Sequence, residues 1–381
     1  MNFLEQDLQE LESKSLRRFL RKVESFQSRE IILDGKRVLN FCSNNYLGLA
    51  DDERIKAAAV KAITQYGFGS GSSRLVCGTM TEHLKLEEKI ARLKKTKNAL
   101  VFSSGYMANT GIISALFGKD DVIFSDRLNH ASIIDGILLS RAQLKRYAHH
   151  DMQALEQGLR DSATFKKRLI VTDTVFSMDG DTARLKEIAD LAHRYEALVM
   201  VDEAHAFGIF GEHGAGLAEQ EGLQNQIDIQ MGTLSKAAGC FGAYVAGSKN
   251  LCDYLINHAR SFIYTTAMPS ALAAAACEAV DIIQQDKERR RKVLSNAQHL
   301  RRGIKNLGFD TLQSTTPIIP VVVKDSSKAL AISKQLLERG IFVQAIRPPT
   351  VPMHTARLRV TVMATHTQED LDFLLHCMKG L

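Results

Sequence analysis

Short apolar runs alternate with helical patterns between about residues 50 and 265. The spacing of Thr79 and Glu82 matches a capping box and predicts the start of one of these helices. Strands that alternate with helices form mostly parallel sheets covered on both faces, so this region predicts a large α/β domain. The runs that are short enough for buried strands lie at residues 99–102, 122–124, 169–171, 198–201 and 227–231.

The segment before this region predicts two small elements. The spacing of Leu4, Leu8 and Leu11 predicts an amphipathic helix over residues 3–22. The turn residues Asp34-Gly35 within IILDGKRVLNF predict a hairpin, because Asp-Gly favours a tight two-residue turn.

The last third of the chain predicts a smaller α+β unit. All six prolines lie between Pro269 and Pro352, which marks a change in composition. Two long helical patterns follow Pro269, and a last helical pattern ends the chain. Between them the pattern predicts a further helix and strands at residues 318–323, 341–343 and 358–362. The predicted parts are an N-terminal helix and short β segment (1–45), a large domain (46–285) and a small C-terminal domain (286–381).

The composition is that of a globular protein. Of 381 residues, 45% are hydrophobic and 24% are charged, which excludes wholesale disorder and a fibrous repeat. No apolar run approaches the ~18–20 residues of a membrane span, and MNFLEQDLQE does not resemble a secretory signal. Six scattered cysteines without a CxxC pair argue against a zinc ribbon or disulfide framework and suit a reducing cytosol. We expect a cytoplasmic protein with no membrane partner and no metal.

The net charge of +6 is concentrated in one segment. Between Lys287 and Lys305 there are eight Lys or Arg and one acid, so that window carries +7 and the remaining chain about −1. The window contains no aromatic residue, whereas nucleic-acid binding predicts a broader basic face, so we expect no nucleic-acid partner. Two interpretations stay open for this segment: a solvated helix face, or a site that attracts an acidic carrier or phosphates.

Small, polar and titratable residues follow five of the predicted strands. The carboxyl ends of parallel strands share one edge of a sheet, where ligands bind in open α/β folds. Singly, each residue fits a structural role such as a helix cap, but together they favour a chemical site. In chain order the segments are SSGYMAN, SDRLNH, TDTVFSMDG, DEAH and GTLSK.

One cofactor needs this assortment of side chains. Pyridoxal 5′-phosphate (PLP) requires a lysine amine for its Schiff base and a carboxylate for its ring nitrogen. It also needs a planar group against the ring, a donor near its phenolic oxygen, and hydroxyls with backbone N–H groups for its phosphate. The residues that can fill these roles are Lys236, Asp202, His130, His205, Gly105, Tyr106, Thr233 and Ser235.

The chain resembles the α-oxoamine synthases, a family of fold-type I PLP enzymes, in order and over nearly its whole length. The resemblance implies a mostly parallel seven-stranded sheet covered by helices, plus a smaller α+β C-terminal domain. The matching segments are NFCSNNYLGL, FGSGSSRLVCGT, SSGYMANTG, DRLNHASIIDG, TDTVFSMDGD, VDEAHAFGIFG, GTLSKAAGCFG, FIYTTAMPS and AIRPPTVPMHTARLRVT.

Within that family, AIRPPTVPMHTARLR is most similar to the branch that condenses L-alanine with a pimeloyl thioester in biotin synthesis. A sister synthase that joins glycine to acetyl-CoA is the alternative, since one methyl group is worth only ~1–3 kcal/mol of discrimination. A non-catalytic paralogue is a further alternative, although the cofactor lysine is present. The sequence leaves open whether coenzyme A or an acyl carrier protein carries the acyl group.

The resemblance also implies roles for single residues. Lys236 carries the cofactor and then acts as base, Asp202 supports the ring nitrogen, and His130 lies on the ring face; these are the implied catalytic residues. The implied cofactor-binding residues are Gly105, Tyr106, His130, Ser177, Asp202, His205, Thr233, Ser235, Lys236, Thr265 and Thr266.

Substrate binding and assembly follow from the same resemblance. Arg359 is expected to hold the alanine carboxylate, because a guanidinium binds both oxygens. Thr265 and Thr266 lie in a segment that in the family reaches the phosphate of the partner subunit, which implies a homodimer with active sites at the interface. The implied substrate-binding residues are Arg18, Asn44, Thr350 and Arg359.

Overall fold

A computed structural model describes residues 2–381, and side chains from residue 3 onward. Among these residues, none of the helices has both the length and the apolar character of a membrane span. The helices are α1 (Asn2–Ser13), α2 (Glu53–Tyr66), α3 (Thr81–Leu93), α4 (Gly105–Leu116), α5 (Ala131–Ser140), α6 (Met152–Arg160), α7 (Leu185–Arg194), α8 (Leu217–Gln220), α9 (Lys249–His258), α10 (Arg260–Ile263), α11 (Ser270–Gln285), α12 (Lys287–Asn306), α13 (Ser326–Glu338) and α14 (Gln368–Met378).

The strands complete the element order. They are β1 (Glu30–Leu33), β2 (Lys36–Asn40), β3 (Asn98–Phe102), β4 (Val122–Asp126), β5 (Gln143–Tyr147), β6 (Arg168–Asp173), β7 (Leu198–Asp202), β8 (Ile229–Thr233), β9 (Ala243–Gly247), β10 (Ile318–Lys324), β11 (Ile341–Phe342), β12 (Gln344–Ile346) and β13 (Ala356–Thr361).

The chain forms two compact units. Unit 1 comprises the described residues up to Gly48, the segment Ser177–Asp181, and Arg291–Leu381. Unit 2 comprises Leu49–Phe176 and Thr182–Arg290. The division into three domains at residues 45 and 285 stays a prediction.

Unit 2 is built on a seven-stranded sheet in the order β3-β9-β8-β7-β6-β4-β5. The pairs from β5 to β8 are parallel, whereas β9 is antiparallel to both β3 and β8. The predicted α/β class and mostly parallel seven-stranded sheet are therefore confirmed. The five apolar runs locate five of these strands, but β5 and β9 gave no such signal. β5 (QLKRY) is a polar edge strand, and β9 (AYVAG) consists largely of small residues.

Alternating side chains of the central strands build two cores, one on each face of the sheet. In β7, Met200 joins the core formed with α4, α5 and α9, while Val199 and Val201 join the core formed with α6 and α7. This period of two is what a strand covered on both faces requires. Because both faces of these parallel strands are packed, their carboxyl ends are held together along one edge of the sheet, next to the connecting loops.

Unit 1 contains two three-stranded sheets, in the orders β1-β2-β11 and β10-β13-β12. The predicted hairpin is present between β1 and β2, and its turn residues Asp34 and Gly35 have positive φ angles of 49° and 79°. Phe41 belongs to a core that also includes residues of β10, β13, α13 and α14. The predicted strands and helices beyond Pro269 are present, with the strand predicted at 341–343 ending at Phe342.

Two local predictions were wrong. The helix predicted over residues 3–22 ends at Ser13, and Ser15 then adopts a left-handed conformation with φ of 56°. The Thr79–Glu82 capping box does not form, because the Thr79 hydroxyl oxygen accepts from Arg74 Nε (3.0 Å) and its hydrogen is donated to the Arg74 carbonyl (2.6 Å). α3 begins at Thr81, and the His83 Nδ1 accepts the Met80 N–H (3.1 Å).

A buried ion pair anchors the loop that follows β7. The side chains of Lys94 and Glu203 are fully buried and bonded to each other. Lys94 Nζ also donates to the Ala215 carbonyl (2.8 Å), and the second carboxylate oxygen of Glu203 accepts the Ala218 N–H (2.9 Å). Because both charges are satisfied, the pair holds the chain just beyond Asp202 in place.

Lys94→Ala should lower the free energy of unfolding by about 3–5 kcal/mol, because it leaves the Glu203 charge buried without a partner. Arg92→Ala is the matched control, since Arg92 pairs with Glu88 at the surface and should cost less than about 1 kcal/mol. Urea unfolding of the three proteins measures both changes. Equal losses in the two variants would contradict the assigned role of the pair.

Candidate active site

The carboxyl ends of β6, β7 and β8 bring the predicted catalytic groups of unit 2 to one sheet edge. Asp173 and Asp202 end β6 and β7 and are paired in register. Thr233 ends β8, and Lys236 follows in the next turn. The same edge receives the starts of α4 and α5, because β3 and β4 lead directly into the loops before those helices.

Asp202 is a buried carboxylate, with 3% of its surface exposed. One oxygen accepts the Ala204 N–H (2.8 Å) and the other accepts the Asn109 side-chain amide (2.8 Å). Both donors are neutral. A buried carboxylate with neutral donors is a good place for a cation, because the charge of the carboxylate is hydrogen-bonded but not compensated.

Lys236 lies beside His205. The distance from Lys236 Nζ to His205 Nε2 is 2.9 Å. The turn that carries Lys236 is closed by hydrogen bonds from the Gly239 N–H to the Lys236 carbonyl (2.9 Å) and from the Leu234 N–H to the Gly242 carbonyl (2.9 Å). The amine is therefore presented from a rigid turn and oriented by an imidazole.

His130 caps the N-terminus of α5. Its Nδ1 accepts the Ser132 N–H (3.2 Å) and lies 2.8 Å from the Ser132 hydroxyl oxygen. The main-chain N–H of His130 donates to the Asp173 carboxylate (2.7 Å). Withdrawal of the ring from water lowers the pKa of His130; Asp202 opposes this shift and Lys236 adds to it. The ring is therefore held toward its neutral form.

Hydroxyl and amide groups suited to an oxyanion lie in two places in unit 2. The hydroxyls of Thr233 and Ser235 are 2.7 Å apart, and Thr233 also donates to the Gly242 carbonyl (2.9 Å). α4 begins at Gly105 after Ser104, whose hydroxyl accepts the Met107 N–H (3.2 Å). The first N–H groups of a helix are available to an anion such as a phosphate.

Three predicted cofactor residues have other surroundings. The Tyr106 hydroxyl donates to Asp135 (2.6 Å), which raises the pKa of this half-exposed tyrosine. Thr265 and Thr266 lie between α10 and α11, and the hydroxyl of Thr265 bonds to the Thr266 carbonyl at 3.5 Å. Within residues 2–381, no hydrogen bond joins these two threonines to the other predicted site residues.

Unit 1 contains a second cluster, around Arg359. Its Nε donates to the Ser177 carbonyl (2.7 Å), and both terminal nitrogens lie 3.1 Å from Asn44 Oδ1. Arg359 is buried, and these acceptors are neutral, so the guanidinium retains its charge for an anionic ligand. In the same unit, Arg18 donates to the Thr350 hydroxyl (3.1 Å).

The structure therefore brings together the predicted site residues in two groups. Unit 2 holds Lys236, His205, Asp202, His130, Thr233, Ser235 and Gly105 at one sheet edge. Unit 1 holds Arg359 with Asn44 and the main chain of Ser177, and Arg18 with Thr350.

Sequence reasoning missed three polar residues at the unit 2 edge: Asn109, Ser132 and Asp173. Each lies within a segment that matches the family, but a sequence motif does not show which side chains these residues contact by hydrogen bonds. Burial, and then the charge of Asp202, raises the pKa of Asp173 well above its ordinary range. The pair of carboxylates at the ends of β6 and β7 therefore resists full ionisation.

The free energy of unfolding of the Asp173→Asn variant, relative to that of the wild type, should increase as pH rises. A carboxyl with a raised pKa in the folded state stabilises the fold at low pH and loses that contribution as pH rises through the folded value. Asparagine avoids this loss, so the difference in unfolding free energy should grow above about pH 4, by at most ~1.4 kcal/mol per pH unit.

Urea unfolding of the cofactor-free protein between pH 4 and 8 measures this difference. Asp253→Asn, at an exposed ion pair with Lys249, is the control and should show no comparable rise. A flat difference for Asp173→Asn would show that Asp173 is ionised throughout this range.

Comparison with known proteins places the chain in a family. The model of aminotransferase class I and II matches residues 36–377. The 8-amino-7-oxononanoate synthase of Geotalea daltonii is 53% identical over 370 residues, covering 96% of this chain and 94% of that protein. The enzyme of the same name from Thermosipho melanesiensis is 46% identical over 369 residues, covering 97% and 94%.

Solved structures show the same fold. Sphingomonas wittichii serine palmitoyltransferase has a TM-score of 0.94 at 30% identity, covering 99% of this chain and 96% of that one. A structure of SPT with PLP has a TM-score of 0.94 at 33% identity, with the same coverage. The 8-amino-7-oxononanoate synthase of Francisella tularensis has a TM-score of 0.79 at 31% identity, covering 90% and 97%.

Fold similarity alone does not separate these enzymes, but sequence identity over nearly the full length does. The chain belongs to the aminotransferase class I and II family and, within it, to the 8-amino-7-oxononanoate synthases.

Proposed function

We propose that this chain condenses L-alanine with a pimeloyl thioester to give 8-amino-7-oxononanoate, CO2 and the free thiol, with PLP as cofactor. The relatives carry this product in their name, and a structural neighbour at 33% identity holds PLP. The observation that carries the proposal is the arrangement after β7 and β8. There a lysine amine lies beside His205, at the same sheet edge as a buried carboxylate with neutral donors.

The residues of unit 2 fit this cofactor. Asp202 would hold the protonated ring nitrogen. This cation would pair with a carboxylate whose other hydrogen-bond donors, the Ala204 N–H and the Asn109 amide, are neutral. Lys236 would bind the aldehyde carbon, and His130 would lie against the ring face. The Thr233 and Ser235 hydroxyls, with the N–H groups that begin α4, would hold the phosphate.

When bound, PLP withdraws electrons from the alanine Cα and so acidifies its proton. Lys236 is the base that takes this proton, and His205 orients its amine from 2.9 Å. Because His130 Nδ1 accepts the Ser132 N–H (3.2 Å), the neutral ring would carry its proton on Nε2 and could donate a hydrogen bond to a substrate oxygen.

Arg359 is the residue proposed to bind the alanine carboxylate. Its side chain is held by Asn44 and by the Ser177 carbonyl, which fix the plane of the guanidinium without neutralising it. A fixed, charged fork binds both carboxylate oxygens and discriminates against amines that lack this group. Arg18 and Thr350 are proposed to contribute to substrate binding in the same unit.

Thiol release should be fastest with L-alanine and the pimeloyl thioester. The assay compares alanine, glycine and serine as amino acids, and pimeloyl, succinyl and acetyl groups as thioesters, each on coenzyme A and on acyl carrier protein. Glycine with acetyl-CoA should react at least about tenfold more slowly, because the contacts that the protein makes with the alanine methyl and the pimeloyl chain are then lost. Faster turnover of that pair would identify a sister synthase instead.

The purified protein should be yellow, and Lys236→Ala should abolish both the visible absorption of the bound cofactor and turnover. Lys249→Ala, at an exposed lysine paired with Asp253, should retain both. A Lys236→Ala protein with wild-type absorption and turnover would refute the role of this amine.

A homodimer with shared active sites is part of the proposal. Unit 2 leaves many large hydrophobic side chains exposed, including Phe68 at 78%, Val76 at 80% and Tyr264 at 71%. Exposed apolar side chains in such number support an interface. Tyr264 is followed by the two threonines proposed to reach the partner's cofactor phosphate.

Subunit mixing tests this arrangement. Lys236→Ala and the double variant Thr265→Ala/Thr266→Ala should each be nearly inactive. If each site combines residues of two subunits, a hybrid dimer has one intact site, so a one-to-one mixture should recover about a quarter of wild-type activity. Activity no greater than the sum of the separate variants would refute shared sites.

The structure changes the picture of the basic segment. Lys287 pairs with Glu212 (3.1 Å), Arg289 pairs with Asp286 (3.1 Å), and the buried Arg290 donates to main-chain carbonyls. Arg290 therefore serves the fold, and Lys287 lies in an exposed ion pair, which supports the interpretation of this end of α12 as a solvated helix face. A cytoplasmic location stays a prediction that rests on the scattered cysteines.

A further inference from the structure

Asn109 connects the two sides of the unit 2 edge. It lies in α4 and is 1% exposed. Its side-chain nitrogen donates to Asp202 Oδ2 (2.8 Å) and to the Ser132 hydroxyl oxygen (2.9 Å). Because both hydrogens belong to one planar amide, the positions of the two acceptors are tied to each other.

The orientation of this amide is dictated by its acceptors. Exchanging the oxygen and nitrogen of Asn109 would direct a carbonyl oxygen at the Asp202 carboxylate, which is repulsive. In the observed orientation, Asn109 Oδ1 is buried and has no hydrogen-bond partner within residues 2–381. A buried carbonyl without a partner is costly, so the two donations must outweigh this cost.

Ser132 passes the connection on to His130. Its hydroxyl oxygen accepts from Asn109, which leaves the hydroxyl hydrogen for His130 Nδ1 at 2.8 Å. The Ser132 N–H donates to the same ring nitrogen (3.2 Å). With two donors directed at Nδ1, this nitrogen acts as an acceptor, and the neutral ring carries its proton on Nε2.

Charged groups reach His130 from several elements. Asp202 ends β7 and Asp135 lies on α5, whereas Asp173, which ends β6 and resists ionisation, accepts the main-chain N–H of His130. Lys236 approaches from the turn after β8. Burial is the largest influence and disfavours an imidazolium, as do Lys236 and the N-terminus of α5, whereas Asp202 and Asp135 favour it. The hydrogen bonds at Nδ1 therefore help decide the protonation state.

We propose that Asn109 is a positioning residue that, through Ser132, keeps His130 neutral with its proton on Nε2 while it orients the Asp202 carboxylate. The consequence for catalysis rests on the proposed function, in which His130 and Asp202 act on cofactor and substrate. The hydrogen-bond chain itself is a property of the protein alone.

Removing Asn109 releases the Ser132 hydroxyl. That oxygen can then rotate to accept a hydrogen bond from a protonated Nδ1, which stabilises the imidazolium. Asn109→Ala should therefore raise the titration midpoint of His130 and populate the proton on Nδ1. Ser132→Ala removes the hydroxyl and its hydrogen bond to Nδ1, so the ring nitrogen shifts of His130 should change, whereas Ser132→Thr retains the hydroxyl and should restore them.

Nitrogen-15 NMR of the histidine rings in the cofactor-free protein tests this directly, with His130→Gln to assign the signal among the 12 histidines. We expect the His130 midpoint to rise by about half a pH unit or more in Asn109→Ala, with Ser132→Thr near wild type. In the loaded enzyme, the acidic limb of the kcat profile should shift in the same direction, with kcat falling more than KM changes.

Asn40→Ala is the matched control, because Asn40 is a buried asparagine in unit 1 that bonds to the Ser28 carbonyl and the Cys42 N–H. It should reduce stability without moving the His130 signal. An unchanged His130 midpoint and tautomer in both Asn109→Ala and Ser132→Ala would overturn the proposal. If Asn109→Ala does not fold, Ser132→Ala decides. An inactive wild type would refute the proposed function and leave the NMR result standing.

Discussion

The buried carboxylate of Asp202 is the constraint on which the unit 2 edge depends. A carboxylate removed from water must be hydrogen-bonded or paired, and here it is held by the main chain of Ala204 and by the amide of Asn109. Neither donor cancels its charge. The Asp202 carboxylate at the end of β7 therefore has no charged hydrogen-bond donor, which leaves it suited to bind a cationic ring nitrogen.

The neighbouring residues serve to hold this charge in place. Glu203, directly after Asp202, is neutralised by Lys94, so it adds no net charge to the edge. Asp173 is in register with Asp202, and its pKa is raised first by burial and then by the charge of Asp202. Unit 1 shows the complementary arrangement, in which Arg359 keeps its positive charge among neutral acceptors.

The sequence predicted structure best where a few neighbouring residues decide the local conformation. Buried strands show as apolar runs, and Asp34-Gly35 contains all that a tight turn requires. It failed where several local choices compete: Thr79 bonds to Arg74 rather than capping α3, and α1 ends at Ser13 although its apolar spacing continues. The polar edge strand β5 resembles a loop until its neighbour β4 is known.

The sequence by itself determined the α/β class, five of the seven strands of the large sheet and the family, and it identified Lys236, Asp202 and Arg359 as candidates. These features depend on residue type and position along the chain. Only the tertiary structure decided which groups share a hydrogen bond: Asn109 acquires its importance from contacts with Asp202 and Ser132, which lie 93 and 23 residues away along the chain. Such contacts arise because the sheet brings distant strand ends together, and no local pattern encodes a partner that lies on another strand.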